Sequence, residues 1–173
     1  MKFNKEYIFI ISILGIILIY SYYYYVKKNY AIVNQLWGDI IKSKNILNIY
    51  YLSMFLSLIG FLFLFYYLMI NNTFTQNNIY HIFILLISIV IFSMFWMPLS
   101  LYYLKNKNEI IKYLILFVLF IVALSSFLLV VTLMQIPNSK NNISYILAII
   151  GMIYFFIHTF FFDFIYWSYN FLK

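Results

Sequence analysis

The 173-residue chain contains no cysteine, no arginine, only two prolines and only four glycines. Without cysteine it has no disulfide, no thiolate metal site and no thiol nucleophile. Four scattered glycines exclude the glycine-rich loops that cradle phosphate groups, and the lack of arginine excludes an arginine-rich voltage sensor. The sequence also lacks a GxSxG motif, metal-ligand spacing of His, Asp and Glu, and a Ser–His–Asp set that helical spacing would assemble. We therefore expect neither an enzyme nor a metal protein.

Charge is scarce as well: 9% of the residues are charged, whereas 66% are hydrophobic and 24% aromatic. Soluble domains contain about 25% charged and about 45–50% apolar residues, so this composition excludes a water-soluble fold. It also excludes intrinsic disorder, which combines low hydrophobicity with high charge. The net charge of +7 comes from lysines in short segments beside apolar runs, which indicates membrane topology and not nucleic-acid binding. The composition predicts an integral membrane protein whose surroundings are the lipid bilayer.

Five apolar runs are long enough to cross a bilayer, whose hydrocarbon core of about 30 Å requires about 20 helical residues. The runs lack strand alternation and are too long for the strands of a membrane barrel. Clusters of Asn, Lys and Pro separate them. We predict an all-α fold in which residues 1–173 form one domain, a bundle of five transmembrane helices. The predicted helices span residues 7–26, 46–70, 79–104, 110–136 and 143–172.

The distribution of lysines predicts the orientation of the chain. With five spans, the N-terminus shares a side with the second and fourth loops, and this side holds three lysines: Lys2, Lys5 and Lys140. The other eight lysines lie on the side of the first loop, the third loop and the C-terminus. Because lysine-rich loops stay in the cytoplasm, we predict the N-terminus outside and the C-terminus inside.

The first loop, residues 27–45, is the longest segment outside the predicted helices. Its central part, residues 30–41, mixes apolar and polar residues and is compatible with a short interfacial helix. It contains Trp37, whose amphipathic ring suits the boundary between bilayer and water. We therefore expect this loop to lie on the membrane surface.

Asp163 lies inside the fifth apolar run, where an ionisable group costs about 2.5–3.5 kcal/mol on insertion scales. It belongs to a polar, small and aromatic stripe at helical spacing: Gly151, Phe155, Thr159, Asp163, Trp167 and Asn170. Thr159 and Trp167 flank Asp163 by one turn each, so we expect both to hydrogen-bond its carboxyl group. Three interpretations remain open: a hydrated residue near the inner interface, a polar contact between helices, or a ligand or ion site.

His158 precedes Asp163 by five residues, which places the two side chains about 140° apart on an ideal α-helix. The sequence therefore argues against a proton relay between them. We expect His158 to bond to a neighbouring helix instead.

The predicted third helix contains Pro98 two residues after Trp96. A proline leaves the carbonyl four residues earlier, here that of Met94, without its helical partner and can kink the helix. A kink beside Trp96 would open a pocket between helices. The alternative is an ordinary transmembrane proline with an aromatic packing neighbour.

Two segments resemble the translocator protein family, also called tryptophan-rich sensory proteins. Residues 93–99, Ser-Met-Phe-Trp-Met-Pro-Leu, are similar to the family's Asn-Trp-x-Trp-x-Pro stretch. Residues 159–170, Thr-Phe-Phe-Phe-Asp-Phe-Ile-Tyr-Trp-Ser-Tyr-Asn, are similar to its closing Leu-Asn-x-x-x-Trp-Arg-x-Asn pattern. Asp163 then stands at the family's Asn, Trp167 at its Trp, Asn170 at its last Asn, and Ser168 replaces its Arg. The resemblance covers residues 82–173.

This resemblance implies a helical bundle with an apolar pocket that opens toward the inner side. The ligands it implies are tetrapyrroles, such as haem or protoporphyrin, or sterols. In such a pocket, aromatic faces stack a flat ligand and a few polar groups orient it. The candidate ligand-binding residues are Trp37, Trp96, Phe155, Asp163 and Trp167, together with Thr159 of the same stripe.

Three functions are compatible with these features. The leading one is a non-enzymatic binding or sensing membrane protein that holds a hydrophobic small molecule between its helices. The second is a structural or accessory subunit, in a homodimer or a larger membrane complex. The third is a small transporter or proton-linked carrier that uses Asp163. If Asp163 faces a cavity, binding or transport is favoured; if it faces lipid, a partner must cover it.

Overall fold

The chain folds as an all-α bundle, and the computed structural model describes residues 1–71, 74–136 and 142–173. Within these ranges there is no β-strand, and five spans are long and apolar enough to cross a membrane. The protein is therefore an integral membrane protein. The first four spans are α1 (Lys5–Lys28), α2 (Lys44–Ile70), α3 (Gln76–Asn106) and α4 (Glu109–Met134). The fifth span, Ile143–Phe171, comprises α5 (Ile143–Ile157), a π-helical segment (His158–Trp167) and α6 (Ser168–Phe171).

Polar caps extend several helices beyond their apolar runs. The side chain of Asn4 accepts a hydrogen bond from the Glu6 amide, and Thr75 accepts one from the Asn78 amide. Such caps satisfy amides of the first turn that have no partner within the helix. As a result α1 begins two residues before the predicted start and α3 three residues before it. Lys140, counted in the predicted topology, lies outside the described residues.

The spans pack side by side in the order α1, α3, α4, α5 and α2. Half of the apolar stretch of α4 is buried, 50%, whereas only 6% of that of α1 is buried. In the described part of the chain α1 and α2 do not pack along each other. The bundle is therefore an open ring with a gap between its first and second helices.

Helices α2 and α5 approach closely because two glycines meet. A Cβ atom added to Gly151 would lie 2.6 Å from the Cα atom of Gly60. Small residues that bring backbones together are a common way to join helices in membranes, where no hydrophobic force acts between them. This contact fixes α2 against the fifth span.

The first loop forms a short 3₁₀ helix, Val33–Lys42, which we call the loop helix. Gly38 interrupts it with a positive φ of 50°, a conformation that glycine adopts without strain. A Cβ at Gly38 would lie 2.9 Å from the Cα of Phe171, so the loop helix sits directly on α6. The short helix expected within residues 30–41 is thus present, and it lies across one end of the bundle.

The connections gather at opposite ends as the predicted topology requires. At the end with the loop helix, Lys105 donates to Asn29 at 2.9 Å and Lys173 pairs with Asp39 at 3.0 Å. At the other end the amino group of Met1 donates to the carbonyl of Phe74 at 2.8 Å. The first loop, third loop and C-terminus therefore share one end, which we call the loop-helix end.

Candidate functional site

A cavity of about 450 Å³ lies between the helices of the open ring. Its walls are formed by all five spans and by the loop helix. Most of the lining is aliphatic or aromatic, for example Ile11, Leu58, Phe61, Phe65, Val122 and Phe155. Its volume falls within the range of about 300–1,000 Å³ that is typical of small-molecule sites.

The cavity reaches the outer surface between α1 and α2. Its exposed lining residues all lie on these two helices, and include Ile16, Ile19, Leu58 and Leu62, each more than half exposed. The lining residues on α3, α4 and the fifth span are buried or half-buried. In a bilayer this mouth faces acyl chains, which differs from the inner opening that the family resemblance implies.

Most of the large polar side chains of the lining lie toward the loop-helix end. The ionisable and indole side chains among them are Tyr22, Trp37, Tyr50, Trp96, His158 and Asp163, whereas hydroxyl groups such as those of Ser12 and Ser57 lie farther along the cavity. The ionisable and indole side chains come from α1, the loop helix, α2, α3 and the π-helical segment, so all of these elements must be in place to form this part of the site.

The π-helical segment brings His158 and Asp163 together. The Nε2 atom of His158 lies 3.5 Å from Oδ1 of Asp163. In a π-helix the amide of each residue bonds the carbonyl five residues earlier, and the Ser168 amide does so to Asp163. Residues five positions apart therefore come onto one face, and our expectation that these two side chains diverge is wrong. It assumed an ideal α-helix, which the chain abandons at this point.

Helix α2 supplies hydrogen-bond partners for both residues. The Tyr50 hydroxyl donates to Oδ1 of Asp163. The Ser53 hydroxyl pairs with Nδ1 of His158 at 2.8 Å, and the Tyr154 hydroxyl donates to Ser53 at 3.2 Å. The expected bond from His158 to a neighbouring helix is therefore present. Together these five residues form a polar network between α2 and the fifth span.

The carboxylate of Asp163 is only partly satisfied by this network. Its side chain is 28% exposed and lines the cavity. Oδ1 accepts from Tyr50 and faces His158, whereas Oδ2 has no hydrogen-bond partner among the residues that the structure describes. Of the three interpretations of Asp163, the polar contact between helices is present, and the free oxygen leaves room for a ligand contact in addition.

Two expected partners of Asp163 bond elsewhere. The Thr159 hydroxyl pairs with the Ser126 hydroxyl at 3.1 Å and donates to the Phe156 carbonyl at 3.2 Å. Trp167 donates its indole N–H to the carbonyl of Leu36 at 2.8 Å. The expectation that both bond the Asp163 carboxyl is wrong, because Thr159 turns toward α4 and Trp167 toward the loop helix.

Five of the six predicted ligand-binding residues lie on the cavity wall. Trp37, Trp96, Phe155, Thr159 and Asp163 line the cavity. Trp167 and Pro98 are not among the residues that line it.

Trp37 and Trp96 present aromatic surfaces to the cavity. The Trp37 ring meets Tyr50 and Tyr51 edge-on, with centroids 5.3 and 5.0 Å away. The Trp96 ring lies between Tyr22 and Trp167, at 5.9 and 5.2 Å. The Nε1 atom of Trp96 is buried and has no hydrogen-bond partner in the described part of the chain.

Helix α3 continues through Pro98 to Asn106. The Tyr22 hydroxyl donates to the Ser93 carbonyl at 2.7 Å, one residue before the Met94 carbonyl that Pro98 deprives of its amide. Pro98 therefore sits next to the point where α1 is tied to α3, at the polar part of the cavity.

The sequence did not lead us to Tyr50 and Ser53, the two residues that α2 contributes to the polar network. A signal was available: Tyr50, Ser53, Ser57 and Gly60 recur at spacings of three and four, as the stripe around Asp163 does. Tyr22 was also missed, because it is one of four consecutive tyrosines and nothing in the sequence distinguishes it from the others.

Comparison of the chain with protein-family models, curated proteins and solved structures finds no match. Among the described residues no group of three His, Asp or Glu side chains is placed to hold a metal ion. The cavity and its polar network are therefore the features from which a function can be argued.

Proposed function

We propose that this protein is a non-enzymatic binding or sensing protein of the membrane that holds a hydrophobic small molecule in its cavity. The observation that carries this proposal is the cavity of about 450 Å³, whose apolar walls surround the partly exposed carboxylate of Asp163. An apolar pocket with a few convergent polar groups is the usual form of a small-molecule site. An ionisable group within a membrane span also indicates function, since it is otherwise costly.

A relationship to the translocator protein family is part of this proposal. The bundle with an apolar pocket that the resemblance implies supports it, as do the positions of Trp37, Trp96, Phe155 and Asp163 on the cavity wall. Aromatic walls suit a flat ligand such as a tetrapyrrole or a sterol. The site does not suit haem iron, because the histidine in its lining, His158, has no free ring nitrogen. Ser53 faces its Nδ1 atom and Asp163 faces its Nε2 atom. A metal-free porphyrin is therefore the appropriate probe.

We propose the orientation from the lysine distribution. The loop-helix end carries Lys27, Lys28, Lys105, Lys107 and further lysines, so it is placed on the cytoplasmic side and the N-terminus outside. The polar part of the cavity then lies in the inner half of the membrane.

A titration with protoporphyrin IX tests the proposal, with tryptophan fluorescence as the readout. Trp37 and Trp96 line the cavity whereas Trp167 does not, so the first two are the emitters that a bound ligand contacts. We expect saturable quenching whose amplitude falls in Trp37→Phe and Trp96→Phe. Gly15→Leu adds a side chain where nothing lies within 4 Å of a Cβ, and should block binding by filling the cavity. Linear partitioning that Gly15→Leu leaves unchanged would exclude this ligand from the cavity.

The His158–Asp163 pair beside the cavity favours a second candidate, a proton-linked carrier. Carboxylate and imidazole groups in contact within a membrane are typical of proton pathways. Reconstituted protein should then show pH-dependent flux that Asp163→Asn removes. Flux that is the same in both proteins excludes a role of Asp163 in transport, and no flux in either protein argues for binding without transport.

A further inference from the structure

The mouth of the cavity determines how a ligand could enter. The gap between α1 and α2 is bordered by exposed apolar side chains, among them Ile16 and Ile19 on α1 and Leu58 on α2. Along α1 the lining runs from Ile11 to Tyr22, which corresponds to about 17 Å of helix. The cavity is thus an elongated apolar slot that is open to the acyl chains of the bilayer and has its ionisable groups, His158 and Asp163 among them, toward one end.

The hydroxyl groups along the slot are mostly occupied by the protein itself. Ser12 donates to the carbonyl of Ile8, and Ser57 donates to that of Ser53, each at 2.8 Å. The Tyr22 hydroxyl donates to α3. Against this background the free Oδ2 atom of Asp163 is the strongest hydrogen-bond acceptor that the described lining offers.

The charge of the lining restricts the ligand further. Asp163 is the one carboxylate among the described lining residues, and none of these residues is a lysine. His158, the ionisable group beside it, already faces Asp163 with one ring nitrogen and Ser53 with the other. An anionic head group would meet this carboxylate without a compensating cation, which is costly in an apolar site. A hydroxyl or an ammonium group can instead donate to Oδ2. The slot therefore discriminates against carboxylates and phosphates and favours heads that donate hydrogen bonds.

We propose that the cavity binds a single-chain lipid whose head is an alcohol or a primary amine. The head donates to Oδ2 of Asp163, and the chain lies in the slot between α1 and α2, which it enters sideways from the bilayer. This proposal rests on the proposed binding function and specifies its ligand class. It also implies that the two carboxylates of protoporphyrin stay away from Asp163, so that a porphyrin binds only with its apolar face in the slot.

Three probes with the same chain test the proposal: dodecylamine, dodecanol and dodecanoate, each brominated on a chain carbon near the head, because both lining tryptophans lie at the polar end of the slot. Bromine quenches nearby tryptophans, and Trp37 and Trp96 line the cavity. In nanodiscs at neutral pH we expect saturable quenching by the amine and the alcohol, with half-saturation about tenfold below that of dodecanoate, the size of one hydrogen bond to a charged group.

Two variants separate the head from the chain. Asp163→Asn keeps an oxygen that can accept from Tyr50 but removes the charge, so the preference for amine over dodecanoate should disappear while binding persists. Gly15→Leu should weaken all three probes. Glu109→Gln, an exposed carboxyl at the start of α4 and not among the lining residues, is the matched control and should leave the binding of all three probes unchanged.

Each outcome bears on a different claim. Equal binding of dodecanoate and amine by the unmodified protein overturns the ligand class but leaves cavity binding intact, as does binding of protoporphyrin alone. A preference for amine that survives in Asp163→Asn overturns the role of Asp163. No saturable quenching by any probe, porphyrin included, overturns the proposed function and this inference together.

Discussion

Trp167 donates its indole N–H to the backbone carbonyl of Leu36 at 2.8 Å, across 131 residues of sequence. Trp167 is 1% exposed, and its ring stacks on Phe171 with centroids 4.5 Å apart. The bond ties the end of the fifth span to the loop helix. Because the same loop helix carries Trp37, this contact also holds one wall of the cavity in place.

Replacing Trp167 should therefore lower stability more than replacing Trp96, which is only partly buried. Trp167→Phe leaves the Leu36 carbonyl buried without its donor, whereas the N–H removed by Trp96→Phe has no partner in the described chain. We expect Trp167→Phe to lower the free energy of unfolding by about 2 kcal/mol more than Trp96→Phe. Unfolding by SDS titration in mixed micelles measures both. Equal losses would show that the Leu36 bond contributes nothing.

The glycine contact between α2 and α5 predicts a stability difference among glycines. In Gly151→Ala the new Cβ would lie 2.6 Å from the Gly60 Cα, so the helices must separate, at a cost of about 1–3 kcal/mol. Gly15→Ala meets nothing within 4 Å and should stabilise α1 by about 0.5–1 kcal/mol. The same unfolding assay distinguishes them, and similar effects of the two substitutions would contradict the close approach.

The ion pairs of Asp39 predict a pH dependence at the loop-helix end. The hydrogen bond from Lys42 and that from Lys173, at 2.5 and 3.0 Å, lower the pKa of the Asp39 carboxyl. The pairing should then contribute fully above the ordinary Asp pKa of about 3.9 and be lost as the pH falls through the lowered value. The same bond raises the pKa of Lys173, so the contribution is also lost in strong alkali.

Hydrogen exchange of the α6 amides measures this dependence. Exchange should be faster in Asp39→Asn than in the unmodified protein at neutral pH, and the difference should vanish well below about pH 4. Because the groups are exposed, salt should reduce the effect. A difference that persists in strong acid would have a cause other than this carboxylate.

The absence of cysteine makes the proposed orientation easy to test. Lys2→Cys and Lys107→Cys place single thiols at exposed positions on opposite ends of the bundle. In intact cells a membrane-impermeant maleimide should label Lys2→Cys, and it should label Lys107→Cys only after permeabilisation. The reverse pattern would place the loop-helix end outside.

The five spans were predictable because each is a long apolar run bounded by polar residues. Which face of each helix points inward was harder, because lipid surrounds the bundle and apolar residues therefore cover every face. Only polar stripes carry that information, as those around Asp163 and Ser53 do. The His158–Asp163 contact could not be derived, since it depends on a local change of helical period that no residue in the segment dictates.

Helices α2 and α5 are locked by backbone contact, whereas α1 is held mainly along α3 and borders an open slot. The two edges of the slot therefore differ in stiffness. The cavity volume should therefore change mainly through movement of α1 away from or toward α2, while α2 and the fifth span move together. Bilayer thickness and lateral pressure should act first on α1, the least buried span, so we expect the width of the slot to change with the surrounding membrane.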